Sequence, residues 1–268
     1  MQCLTVINWS RYSKLSKPWN TIRLYYRGTC STFEQTKKKN VMATNDNYEM
    51  SFFAKPISNK WPMGAVTPFW VYQYLRSYES KPETCELRAL GKVLWERHDD
   101  ETLQVVKEQQ RRYKGLNLDY VTPSGLFSYC SDDNQQSHSR LLSMDLDDVC
   151  PVWEVNPVLF DFTPECFNMS TRETDAVEEL KWRLIDDKNF NTVLAFRSPR
   201  GNGLKWWVEI DLGKCDHRTW FQAVRNYLMA RHGLTDHQVD KMCGNPSRAC
   251  FLSHDPLVYL RTDLIENF

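Results

Sequence analysis

The stretch Leu141-Leu142-Ser143-Met144-Asp145-Leu146-Asp147-Asp148-Val149 is an apolar run that breaks into three carboxylates. Read as a β-strand, it sends successive side chains to opposite faces, so Asp145 and Asp147 share one face while Met144 and Leu146 point into a core. Two carboxylates held side by side repel each other unless one is protonated or a cation lies between them. Oxygen-only ligation of this kind suits Mg2+ or Mn2+. The alternative is a strand that ends in a solvated, Asp-rich turn.

A second stretch can handle phosphate. Residues 193–197 read as a strand, Ser198-Pro199-Arg200-Gly201-Asn202-Gly203 as a tight polar turn, and residues 204–210 as the returning strand. Alternation puts Lys205, Trp207 and Glu209 on one face and Leu204, Trp206, Val208 and Ile210 on the other. The glycines let backbone approach a ligand closely, and the turn amides with Arg200 and Lys205 can receive phosphate oxygens. A glycine-containing hairpin turn is common, so the turn gains meaning only beside the carboxylate strand.

The elements that must position these residues follow from periodicity and punctuation. Residues 66–75 carry apolar residues at helical intervals, with Thr67 as N-cap and Pro68 at the first helical position. Further helices are expected at 83–95, at 100–113 with a basic end that suits the helix dipole, and at 173–184 behind Thr171. Residues 51–53 read as a short strand, 56–68 as a loop, 120–129 as strand, turn and strand, and 132–139 as polar loop. Asp216 caps a helix with apolar face Trp220, Phe221, Val224, Tyr227 and Leu228, closed by Gly233, and residues 248–253 form a late strand.

Composition sets limits. The chain carries 34 basic and 34 acidic residues, but residues 1–41 hold eight Lys or Arg against one Glu, which leaves the remainder at 26 against 33. The body is acidic, which argues against gripping duplex DNA by bulk charge; a local basic groove near Lys107, Arg111, Arg112, Arg200 and Lys205 is expected instead. Residues 1–41 read as a disordered basic leader, with Met42 as an alternative start, and residues 50–268 as the folded domain. Nine cysteines without a Cys-x-x-Cys pair and without a signal peptide indicate reduced thiols in a cytoplasmic protein. His232, His237, Cys243 and Cys250 match no common zinc spacing. No apolar run approaches a membrane span, so no membrane partner is expected.

The ordered set Asp145-x-Asp147, Ser198-Pro-Arg-Gly-Asn-Gly-Leu-Lys205, and Val239-Asp240 with Arg248 eight residues later and then Phe251-Leu-Ser-His-Asp-Pro, resembles the archaeo-eukaryotic primase superfamily. Within it, the chain is similar to the virulence-protein-E-associated N-terminal domain of bacterial mobile elements, over about residues 50–259. The resemblance implies an α+β fold: a primase-polymerase catalytic core with an RNA-recognition-like antiparallel sheet joined to an N-terminal α/β unit. It implies that Asp145, Asp147 and Asp240 hold two divalent ions, Mg2+ or Mn2+, for template-directed nucleotidyl transfer. Ser198, Arg200, Gly201, Gly203, Lys205 and Arg248 would then bind the nucleotide. Single-stranded or primed DNA and nucleoside triphosphates are the implied partners.

One departure stands out: Lys205 occupies the place where many members carry histidine. An ammonium holds phosphate but is a poor neutral donor or base. A noncatalytic nucleotide- or nucleic-acid-binding module that recruits a replication helicase is therefore the competing expectation, and a metal-dependent nuclease a third. The chain lacks a Gly-x-x-x-x-Gly-Lys-Ser/Thr loop, so unwinding would fall to a separate helicase.

Overall fold

The computed structural model describes residues 48–161 and 174–265, all within one compact unit. The basic segment 1–41, Thr171 and Glu173 lie outside the described residues. The architecture is mixed α+β with antiparallel sheets. One sheet runs β2 (Gly64–Val66), β1 (Met50–Phe53), β3 (Tyr120–Thr122), β9 (Cys250–Phe251). The other runs β10 (Tyr259–Leu260), β7 (Thr192–Arg197), β8 (Leu204–Glu209), β6 (Leu141–Leu146). A separate ribbon pairs β4 (Gly125–Phe127) with β5 (Gln135–His138).

The second sheet is covered on both faces. Leu142, Met144 and Leu146 of β6, with Trp206 and Val208 of β8, pack with α5 (Ala176–Ile185) and α6 (His217–His232) through Val177, Leu180, Leu184, Phe221, Val224 and Leu228. Leu141, Leu194, Phe196 and Trp207 enter a second cluster with Met50, Phe52, Val121 and Cys250 of the first sheet and with α1 (Pro68–Arg76). This is the alternation read from β6 and β8, and burial on both faces explains why every residue of β6 is buried.

Local signals account for most elements. Thr67 caps α1, accepting the Trp70 N–H at 3.3 Å, and Pro68 opens it. Asp216 caps α6 through the Thr219 N–H at 2.7 Å, and Gly233 closes it in the left-handed region.

Several boundaries differ from the sequence expectation. The helix expected at 83–95 is α2 (Lys81–Ala89) followed by a 3-10 turn, Lys92–Trp95. The break falls at Gly91, where a Cβ would lie 3.0 Å from Gln110 of α3 (Asp100–Asn117). That third helix runs past Tyr113 to Asn117, because Gly115 in its last turn abuts Ile57, whose N–H donates to the Gly115 carbonyl at 2.7 Å. Residues 120–129 hold the expected strand, turn and strand, but β3 joins the first sheet while β4 pairs with β5, which lies inside the segment expected to be loop. Gly125 permits this, since a Cβ there would sit 1.9 Å from the Ser137 carbonyl oxygen. Strand β2 lies inside the expected 56–68 loop. The observed cap of α5 is Asp175, which accepts the Val177 and Glu178 amides at 3.1 and 3.0 Å. The late strand is only β9, two residues long. Among the described residues no helix is long and apolar enough to cross a membrane.

Candidate functional site

Antiparallel register puts Lys205 of β8 directly opposite Asp145 of β6. Both side chains point away from α5 and α6, toward the first sheet, and both residues are buried. Lys205 Nζ forms an ion pair with Asp145 Oδ2. Asp145 Oδ1 is buried with no hydrogen-bond partner among the described residues. Burial raises the Asp145 pKa, with Lys205 opposing and Asp147 reinforcing the rise. Lys205 shifts up in turn, because attraction to Asp145 outweighs the cost of burying its charge.

Beyond Leu146 the chain leaves the sheet. The Asp147 N–H donates to the Gln238 carbonyl at 2.8 Å, and Asp148 takes φ 47°, a conformation that aspartate tolerates better than most residues. Gln238 Nε2 returns a bond to the Asp148 carbonyl at 3.0 Å, and Val239 bridges Leu146. The Asp240 N–H donates to the Asp145 carbonyl at 3.0 Å, which brings the third expected carboxylate beside the first. Asp240 is engaged on both oxygens, by the Met242 N–H at 2.9 Å and by Arg248 at 2.5 Å.

The 198–203 turn is clamped from within. Arg88, buried in α2, donates to the Ser198 and Pro199 carbonyls at 3.0 and 3.1 Å, and Arg197 donates to the Gly201 carbonyl at 2.7 Å. The Ser198 and Gly201 amides bond inside the turn, to Gly203 O and Ser198 O. Both glycines face protein closely: a Cβ at Gly201 would meet Phe160 at 2.9 Å, and one at Gly203 would meet the Leu146 carbonyl oxygen at 2.4 Å. Held this way, the turn aims Arg200 at Asp147 (2.8 Å) and Asp148 (3.5 Å). Burial works against the Asp147 charge, but Arg200 and Lys205 outweigh it and lower the pKa. The two neighbouring carboxylates are therefore driven in opposite directions, as in sites that assign different roles to two acids.

Sequence reasoning missed three contributors. Asp148 accepts from Lys107 at 2.8 Å and from Asn202 at 3.0 Å. Lys114, read only as part of a basic helix end, lies over the Phe251 ring at 5.1 Å. Burial, and then the charges of Lys205 and Arg200, lower its pKa to about 8 although Asp145 and Asp147 oppose the fall. Its signal was the spacing Lys107, Gln110, Lys114, one face of α3 over two turns. Of the five residues expected to form a basic groove, Lys107, Arg200 and Lys205 gather around the carboxylates. Arg111 and Arg112 instead bind Glu108, with side chains 77% and 76% exposed. Of the four zinc candidates, His232 binds Asp187 at 3.0 Å, while Cys243 and Cys250 belong to different apolar clusters.

The arrangement presents four carboxylates, Asp145, Asp147, Asp148 and Asp240, among five cations, Lys107, Lys114, Arg200, Lys205 and Arg248. Asp145 and Asp147 offer oxygen donors alone, the type a divalent cation takes, and one buried carboxylate oxygen lacks a partner among the described residues, although no group of three or more His, Cys, Asp or Glu is arranged among them to hold a metal ion. Asp240 fits less directly, since both of its oxygens are engaged. Beside Asp148 and Arg200 opens a cavity of about 230 Å³ walled by Leu94, Leu103 and Trp153.

Residues 170–260, about a third of the 268-residue chain, match a protein family described as BT4734-like, N-terminal domain. That span carries the clamped turn, Lys205, Asp240 and Arg248; the Asp145 strand precedes it. No curated protein matches the chain. No solved structure matches it.

Proposed function

We propose that this domain binds a nucleoside triphosphate with Mg2+ or Mn2+ at Asp145 and Asp147 and transfers the nucleotidyl group to a nucleic-acid 3′-hydroxyl, in the manner of a primase-polymerase. The observation that carries this reading is Asp145 Oδ1, a buried carboxylate oxygen without a partner, beside a second carboxylate and ringed by cations. An unpaired buried carboxylate oxygen is costly, and a cation removes the cost. When bound, the metal would activate the attacking hydroxyl and stabilise the leaving pyrophosphate. The rest falls to this chain. Arg200, partly exposed, can exchange Asp147 for phosphate oxygens, and Lys114, which pairs with no carboxylate among the described residues, can meet the triphosphate directly. The cavity beside Asp148, lined by both apolar and polar side chains, suits the nucleoside moiety. The setting the reading implies is replication of a mobile element or phage in the cytoplasm, with unwinding by a separate helicase.

Lys205 on Asp145 Oδ2 favours the second reading, a nucleotide- or nucleic-acid-binding module without turnover, because it places an ammonium where a metal ligand oxygen is needed.

Incorporation of labelled nucleotides on primed templates in Mg2+ and in Mn2+ separates the two. The expected loss for Asp145→Asn is about a thousandfold or more, the several kcal/mol of charge stabilisation that a metal supplies. Mn2+ binding, followed by electron paramagnetic resonance, should weaken in parallel. Undiminished incorporation by the variant would sink the transferase reading; nucleotide binding without incorporation by the wild type would establish the module.

A further inference from the structure

An aromatic ledge runs outward from the site. Lys114 Nζ lies 5.1 Å from the centroid of Phe251, and Phe251 lies 6.1 Å from Tyr120 in the neighbouring strand. Lys60 Nζ sits over that same Tyr120 ring at 5.8 Å, and the Tyr120 hydroxyl donates to the Asn59 carbonyl at 2.5 Å. The next residue, Trp61, is 67% exposed and meets Tyr129, 36% exposed, edge to face at 5.2 Å. The Cys130 N–H donates to the Lys60 carbonyl at 2.9 Å, so the loops carrying the two rings are tied together. Neither Lys60 nor Lys114 has a carboxylate partner among the described residues. Trp61 and Tyr129 are thus exposed rings beside Lys60, and the buried Tyr120 ring carries the contact from Lys60 to Phe251 and Lys114.

We propose that this ledge, from Lys114 and Phe251 to Lys60, Trp61 and Tyr129, seats single-stranded nucleic acid as it enters the site, with Trp61 and Tyr129 stacking on bases and the lysines meeting phosphates. Stacking on a ring tolerates any base, and a cation beside the ring tracks the backbone, which is how strands are held without sequence preference. The inference rests on the nucleic-acid reading above; apart from Lys114, where the ledge meets the site, it concerns residues that reading does not use.

The test is fluorescence anisotropy of a labelled oligothymidylate on the full chain in chelator, without nucleotide. Trp61→Ala and Tyr129→Ala should each weaken binding about tenfold, while Trp61→Phe keeps a ring and most of the affinity. Lys60→Gln should reduce the slope of log affinity against log salt by about 0.7. Trp182→Ala is the control: the ring is 51% exposed on α5, across the second sheet, and its loss should change nothing. Wild-type binding unaffected by Trp61→Ala, equal losses for Trp61→Ala and Trp182→Ala, an unchanged salt slope, or no binding at all would each overturn the ledge. Because metal and nucleotide are absent, binding without incorporation would leave the ledge standing and remove the transferase; incorporation with Trp61→Ala binding unchanged would do the reverse.

Discussion

Two clusters of buried charge occupy the two arms of one hairpin, and they differ in how fully they are partnered. At the end of β7, Arg197 donates to Asp175 at 2.8 and 3.0 Å, to Glu178 at 3.0 Å and to the Gly201 carbonyl, while its amide donates to Asp255 at 2.7 Å. Lys181 pairs with Glu178 and bonds the Leu257 carbonyl at 2.8 Å, and Asp175 also caps α5. Burial opposes charge at Arg197, Asp175 and Asp255, yet partners hold all three in their charged forms. At the start of β8 the balance tips the other way. Among the described residues Asp145 is short of one partner and shifts up, and Lys114 pairs with no carboxylate and shifts down to about 8. A saturated cluster fixes structure, whereas one left short of partners keeps groups and space for a ligand.

The largest effect that can break this comparison is at Arg197. Arg197→Met leaves Asp175 buried without its cation and Glu178 with Lys181 alone, and should cost about 3–5 kcal/mol of stability, read from urea unfolding. The double variant Asp145→Leu/Lys205→Met removes both charges of the open cluster. It should be neutral or stabilising by about 1–4 kcal/mol, while abolishing any metal-dependent activity. Equal destabilisation in the two cases would mean that both clusters are structural.

A smaller effect tests the turn that joins them. A methyl at Gly203 would meet the Leu146 carbonyl oxygen, next to the open cluster, at 2.4 Å and Ser198 Oγ of the turn at 2.9 Å. Gly203→Ala should therefore cost about 1–3 kcal/mol and displace Arg200 from Asp147, reducing nucleotide binding as well. Gly213→Ala, whose methyl meets only the Asp211 side chain at 3.1 Å, should change the unfolding midpoint little. If Gly203→Ala lowered stability and left nucleotide binding intact, the turn would serve the closed cluster alone.

What was legible in the sequence follows from the range of the forces involved. The faces of β6 and β8 could be read because alternation is local, and the caps Thr67 and Asp216 because a cap bonds three residues away. That Lys205 lies opposite Asp145 depends on pairing 60 positions apart, which no local pattern encodes. Lys114 comes from another part of the chain and reaches the site only because α3 extends to Asn117, held by Gly115 against Ile57. Strand β5, Gln-Gln-Ser-His, carries no apolar alternation because none of its residues is fully buried, so its register lives in the Gly125 contact. The closed cluster was illegible for the same reason as Lys114: Arg197, Asp175 and Asp255 are ordinary charges until the fold buries them together.

The smallest effect is also the sharpest, because it changes sign between two lysines of one site. Lys205 titrates above its ordinary value in the fold, so its pairing contributes stability that is fully present below the unfolded pKa of 10.5 and is lost only as pH rises through the higher folded value. Lys114 titrates at about 8 in the fold against 10.5 unfolded. Between those values the unfolded chain binds more protons, so stability climbs with pH across the window and the full cost of the buried charge is present below it. Lys114→Met should therefore raise the urea midpoint at pH 7, with the gain shrinking between pH 8 and 10.5, while Lys205→Met lowers it at pH 7. Should Lys114→Met destabilise at pH 7 as Lys205→Met does, Lys114 would have a partner that satisfies it in the folded protein. The open cluster would then be as closed as the one around Arg197, and Lys114 would not stand free to meet a phosphate.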